Sequence, residues 1–227
     1  MEKIVVSIGG SVLIPGEDDP SYIRKLADML TDASKIVSLV IICGGGKISR
    51  YYVNTGRQLG GSVDELDMMG IGATRLNAEL LRIALGGAAY NGVPNTVDEA
   101  VSAFADGKIV VMGGTEPGHT TDAVAAMIAG KIGGIRIVNA TAVDAVYSDD
   151  PKKDPNAKRF SNLTIKELSN IVYAEHDAGR SSVFDPLGVK LAMRDRIDIL
   201  MVDGRDIDEL KNAILGKKIK GTTVSSQ

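Results

Sequence analysis

MGGTEPGHTTDAVAA, residues 112–126, is the stretch whose reading decides the fold. The apolar run Ile109, Val110, Val111 and Met112 enters it, and the small residues Ala123, Val124, Ala125 and Ala126 leave it. Between them stand three glycines, a proline, three threonines and a histidine. This is the pattern of a strand, a flexible loop and a helix with a hydroxyl-rich start. Thr120 or Thr121 can cap that helix, whose first unpaired N–H groups then form an anion site. A plain strand-to-helix connection is the alternative.

Outward from this stretch, short Val- and Ile-rich runs recur at residues 3–8, 38–43, 108–112, 135–140 and 197–202. Most are continuous rather than alternating, as in strands buried on both faces of a parallel sheet. Helical periodicity lies between and after them, at 21–30, 66–85, 97–105, 121–129, 165–172, 186–193 and 207–215. The alternation predicts a doubly wound α/β sheet, with ligands beyond the carboxyl ends of its strands. The first four strands end there in Gly9-Gly10-Ser11, Gly44-Gly45-Gly46-Lys47, Gly113 to Thr121, and Thr141 onward. Four such turns are far more specific than one.

The whole chain sets bounds on function. It has 227 residues and a net charge of −3, with 4% aromatics, no Trp and one cysteine. There is no basic stripe, which argues against a nucleic-acid partner. Cys43 ends an apolar strand and reads as a small core residue. With one cysteine no disulfide framework exists, which fits a reducing cytoplasm. No run approaches a membrane span. His119 and His176 make no zinc pattern with one cysteine, and no metal-ligating side chain is assigned.

The turns carry the chemistry. Gly9-Gly10 can cradle a phosphate on backbone N–H groups, with Ser11 adding a hydroxyl. Cys43–Lys47 lacks the P-loop spacing, yet its three glycines face a helix start, where Lys47 supplies a point charge and Arg50 a planar fork. Asp67 heads the long helix, as a dipole-favouring acid or as an acceptor of ribose hydroxyls. Asp144, flanked by Val143 and Ala145, precedes Tyr147, Asp149 and Asp150; Asp149, Lys152 and Lys153 read as surface. Carboxylates there can hold lysines or meet magnesium. Asp185 and Pro186 mark a helix start, with Lys190 one turn in. His119 lies in the threonine loop and His176 reads as surface.

Taken in order, IGGSV, GGGK with its arginine, MGGTEPGHTTDAVAA and TAVDAVYSDDPKKDP resemble the amino acid kinase superfamily, and within it the archaeal-type UMP kinases, over nearly the whole chain. The resemblance implies a three-layer αβα sandwich with a mostly parallel central sheet. It also implies transfer of the ATP γ-phosphate to UMP with Mg2+, and a homohexamer. Carried over, Gly45, Asp67 and the loop Thr115, Glu116, Pro117, Gly118, His119, Thr120 and Thr121 would take UMP. Gly10, Ser11, Gly46 and Arg50 would meet ATP phosphates, and Thr141, Tyr147 and Asp150 the ATP nucleoside. Asp144 would organise the catalytic lysines. One domain would span the chain, its lobe at 1–145 mainly binding UMP and its lobe at 146–227 mainly binding ATP. Many members carry a lysine in the first strand–turn where this chain has Ser7, so the charge must come from elsewhere; Lys47 and Lys190 are the candidates. Ala142 replaces a family asparagine. The rivals are another small-molecule kinase of the superfamily, for isopentenyl phosphate or carbamate, and a non-catalytic nucleotide- or oxyanion-binding protein on the same fold.

Overall fold

A computed structural model describes residues 1–16, 18–151, 153–177 and 183–226, with the backbone alone at 175–177. The chain runs β1 (Lys3–Ile8), α1 (Gly10–Leu13), α2 (Asp19–Ala33), β2 (Ser38–Cys43), α3 (Gly46–Gln58), α4 (Val63–Leu85), α5 (Val97–Phe104), β3 (Val110–Met112) and α6 (Thr121–Ile132). It continues with β4 (Arg136–Thr141), β5 (Val146–Tyr147), β6 (Arg159–Phe160), β7 (Asn162–Thr164), α7 (Ile165–Asp177), α8 (Pro186–Asp195), β8 (Asp198–Asp203), α9 (Ile207–Ile214) and β9 (Thr222–Ser225).

Seven strands form one sheet in the order β3-β2-β1-β4-β8-β9-β7. The first five are mutually parallel and β9 runs antiparallel to β8. The period-2 alternation of side chains divides each central strand between two cores. Ile4, Val6 and Ile8 of β1, with Leu39 and Ile41 of β2, pack under α2, α4 and α9. Val5, Val40 and Ile42 pack under α5, α6, α7 and α8. Both faces are covered, which is why these strands read as unbroken apolar runs. The result is the expected three-layer αβα sandwich. Each fully buried Ile or Leu contributes about 1.5–3 kcal/mol. Cys43 is one of these core residues, and burial pushes its thiol up to about 12, far from a nucleophile.

Several boundaries move. β3 starts at Val110, because Ile109 instead makes an isolated parallel bridge with Ala89. α4 starts at Val63, three residues early, because Ser62 and Glu65 close a capping box. Asp67 therefore sits in the second turn, and Asp64 and Glu65 serve the helix dipole. α7 runs on to Asp177. β5, β6, β7 and β9 were not anticipated; they are two to four residues long and carry no apolar run. Lys152, Ser181, Ser182 and the His176 side chain lie outside the described residues.

Candidate functional site

The parallel strands deliver their turns to one edge, and two of these turns touch through backbone alone. Gly46 adopts φ +62°, and a Cβ there would lie 2.4 Å from the Gly10 carbonyl carbon and 2.6 Å from its oxygen. Only glycine joins a left-handed turn to so close an approach. Gly45 is the N-cap of α3 and has no side chain to occupy the first free N–H groups, which leaves them for an anion. Arg50, one turn in, donates from Nη2 to Ser11 Oγ at 3.1 Å. Gly10, Ser11, Gly46 and Arg50, predicted for the ATP phosphates, thus come together. Lys47 is exposed and its Nζ donates to the Pro15 carbonyl at 2.8 Å, beside the same turn.

Beside them opens a cavity of about 410 Å3, within the usual range for small ligands, roughly 300–1,000 Å3. Gly45, Asp67, Glu116, Gly118, His119 and Thr120 line it, together with Thr121. Its back wall is α4. Thr74 Oγ1 accepts from Gly114 N–H at 2.7 Å and donates to Ile71 O at 2.6 Å. Asn77, 2% exposed, donates from Nδ2 to the Gly44 carbonyl at 2.7 Å. Asp67 Oδ2 accepts from Gly118 N–H at 3.0 Å. Gly113 allows the close seat: a Cβ there would meet Thr74 Oγ1 at 2.5 Å and Arg75 N at 2.7 Å. Thr120 is the helix cap, accepting from Ala123 N–H at 3.2 Å.

Two buried polar atoms on this loop, Thr115 Oγ1 and His119 Nδ1, have no hydrogen-bond partner among the described residues. His119 Nδ1 lies 3.1 Å from Glu116 Oε1 but without hydrogen-bond alignment. A buried polar group left unmatched is costly, so these atoms mark where a polar ligand would be welcome. Thr115 and Pro117 do not line the cavity, although their neighbours in the loop do.

On the other flank the predicted ATP-nucleoside residues lie at and after the end of β4. Thr141 Oγ1 donates to Val143 O and accepts from Val143 N–H, each at 3.1 Å, closing a tight turn. Tyr147 donates its hydroxyl to Asp144 Oδ1 at 2.9 Å. Asp150 starts the next turn, where Lys153 stands 3.5 Å from its Oδ2. Asp144, expected to organise lysines, pairs with Arg159 Nε at 2.9 Å. The cation that fills its reach is the one β6 supplies. Lys190 is exposed on α8 and makes no hydrogen bond or ion pair among the described residues.

Ser7 and Asp122 form a pair that the sequence alone does not single out. Ser7, where other members carry lysine, donates from Oγ to Asp122 Oδ1 at 2.8 Å. Asp122 is packed closely enough that desolvation, aided by nearby Asp185 and opposed by the Ser7 bond, lifts its pKa to about 6. Asp185 meanwhile caps α8 by accepting from Gly188 N–H at 3.0 Å. Asp122 looked like an ordinary first-turn acid; only the packing of α6 against β1 distinguishes it. Thr74 and Asn77, polar residues on the buried face of an otherwise apolar helix, were the available signal for α4.

The amino acid kinase family model matches residues 2–203 of the chain. The uridylate kinase of Methanococcoides burtonii is 44% identical over 223 residues, 98% of this chain and 95% of its own. That of Methanoculleus marisnigri is 41% identical over 228 residues, 100% of this chain and 97% of its own. Among solved structures, the uridylate kinase of Archaeoglobus fulgidus superposes with a TM-score of 0.88 at 37% identity, covering 99% of this chain and 100% of its own.

Proposed function

The chain belongs to the amino acid kinase family, and from that premise we propose that it transfers the γ-phosphate of ATP to UMP, giving UDP and ADP. The observation that carries this reading is the meeting of two compartments at the Gly10–Gly46 contact. On one side lies the cavity against α4, lined by His119 with its unmatched Nδ1; on the other lies the turn after β4. Asp67, with one carboxylate oxygen already on Gly118, keeps the other for the ribose of UMP. Full-length relatives named uridylate kinase support the same substrate.

The chemistry asks little of a base. The UMP phosphate is itself a charged nucleophile, so the site must align it with the γ-phosphate and neutralise charge. The free N–H groups of α3, Arg50 and Lys47 do this from the chain itself. Lys190 is the second cation in this reading, entering from α8. Magnesium would enter with ATP and would need one or two carboxylates near the phosphates. Asp122 and Asp185, neighbouring carboxylates, would hold it, and it would supply charge neutralisation on the phosphates.

The same reading takes the chain as one domain and the enzyme as a cytoplasmic homo-oligomer, a hexamer by family. No helix among the described residues is long and apolar enough to cross a membrane. Tyr51, Leu59, Val63, Leu76 and Ile83, all on or beside α3 and α4, are between 62% and 82% exposed, and so broad an apolar face supports self-association. Light scattering that finds a monomer would remove the oligomer. A phosphorylation assay over UMP, CMP, AMP and isopentenyl phosphate tests the activity. UMP should be clearly the best acceptor. A failure to consume ATP when UMP is added would overturn the reading and leave the non-catalytic nucleotide- or oxyanion-binding rival, which the missing lysine at Ser7 favours.

A further inference from the structure

Arg75, on α4, reaches out of the helix to three backbone carbonyls. Its Nε donates to Gly114 O at 3.1 Å, and its Nη2 donates to Thr115 O at 2.9 Å and to Asn95 O at 3.2 Å. Among the described residues no carboxylate pairs with it, and it is not among the residues lining the cavity. A surface arginine on a helix ordinarily finds a carboxylate three or four residues away, as Arg82 does with Glu79. Arg75 is only partly exposed, and its planar fork is spent on peptide oxygens of two separate loops.

Those oxygens are not scattered. Gly114 and Thr115 open the acceptor loop, and Thr115 is the residue whose buried hydroxyl lacks a partner. Asn95 lies just before the N-cap of α5, Thr96. Thr74 already holds the Gly114 N–H on the same turn of α4. Peptide 114 is therefore gripped at both ends, by a hydroxyl on its donor and a guanidinium on the neighbouring acceptors. Charged donors make the stronger hydrogen bonds, and three carbonyls drawn to one fixed fork define the direction in which the loop leaves β3.

We propose that Arg75 is a positioning residue for the nucleoside monophosphate: it holds the acceptor loop in its binding shape before the ligand arrives. This rests on the assignment of that loop to UMP. Preorganisation of this kind raises affinity by removing an ordering cost, so its loss should fall on the acceptor and spare the donor.

Calorimetric binding of UMP and of ATP, each alone, to the full chain and to Arg75→Ala and Arg75→Lys tests it. Arg75→Ala should weaken UMP by about tenfold or more while ATP stays within about twofold. Arg75→Lys should fall between, since an ammonium lacks the fork. UMP affinity within about twofold of the unsubstituted protein, or equal losses for UMP and ATP, would overturn the proposal; equal losses are what a merely structural arginine gives. Should Arg75→Ala not fold, Arg75→Lys carries the test, and unchanged UMP binding by it is equally fatal. If the unsubstituted chain binds ATP but no UMP, the acceptor assignment itself fails, a result distinct from a tight UMP site indifferent to Arg75.

Discussion

The two sides of the cleft, acceptor and donor in the proposed reading, are built on different principles. The acceptor loop is bound to one helix, α4, by side chains that grip backbone: Asp67 to Gly118, Thr74 to Gly114 and Arg75 to Thr115. Thr74 and Asn77 are buried, so water does not compete for their bonds. The donor turn is tied down by side-chain pairs in the open. Arg159 and Asp144 are 34% and 49% exposed, and Arg205 and Asp203 are 61% and 24% exposed. A buried anchor is Thr222, whose Oγ1 accepts from Val146 N–H and donates to Phe160 O. One rigid helix makes a preformed pocket; exposed pairs on a short hairpin make an adjustable one. A site that selects its acceptor but takes a common donor is well served by that division.

The largest expected effect lies at the seam, where the comparison can be broken outright. Lys47→Ala removes a cation beside the Gly10–Gly46 contact and should lower turnover by at least about 10²-fold, with smaller changes in either substrate's KM. Near-normal kcat would mean that the charge between the two sides comes from Lys190 or elsewhere.

Next comes Asp122, also at the seam. Its folded pKa of about 6 stands above the ordinary 3.8. The folded state therefore holds a proton that the unfolded chain has already released between those values. Stability from this group falls as pH rises from about 4 to about 6, and the full penalty remains above that. Asp122→Asn keeps an acceptor for Ser7 and removes the charge. It should stabilise the protein by about 2 kcal/mol at pH 8 and by almost nothing at pH 4. Thermal melts of both proteins across that range check the sign; a gain that does not shrink toward pH 4 would mean that ionisation is not its origin.

Much of this architecture was legible in the sequence because it follows from local chemistry. Residues 3–8 and 38–43 are strands to the residue, since sterics and two-sided burial demand continuous apolar side chains there. Thr120 and Asp185 with Pro186 announced their helices as caps. The Ser62–Glu65 capping box was also readable, although apolar periodicity alone drew the start of α4 to Leu66. What was hidden depends on partners far away in the chain. Asp122 differs from any helix-start acid only because Ser7, 115 residues earlier, lies against it. The pairing of Asp144 with Arg159, on a two-residue strand 15 residues later, was equally invisible. The β9–β7 edge escaped because Thr222 and Val224 face inward in too short a stretch to show a period.

The middle-sized prediction sharpens the comparison from the acceptor side. Asp67→Asn keeps the shape and loses the charge that accepts both from Gly118 N–H and, in this reading, from the ribose. KM for UMP should rise about tenfold, and KM for ATP should change little. Equal rises would mean that Asp67 supports the fold of the cleft rather than one ligand.

The smallest effect is expected on the donor side, and its character matters more than its size. Arg159 donates to Asp144 and, from Nη2, to Lys220 O at 2.7 Å, so it links the turn after β4 to the chain entering β9. Arg159→Gln should raise KM for ATP by about two- to fourfold, in keeping with the small worth of exposed ion pairs. Salt separates a screened pair from a buried strut. Near 1 M the Debye length shrinks to about 3 Å, so the ratio of the variant's KM for ATP to that of the unsubstituted enzyme should fall toward one as salt is added. The corresponding UMP ratio for Asp67→Asn should hold nearly constant over the same series, because α4 keeps the acceptor loop in place whatever the ionic strength. If both ratios respond alike, the two sides are built the same way and the division between a preformed and an adjustable compartment is wrong.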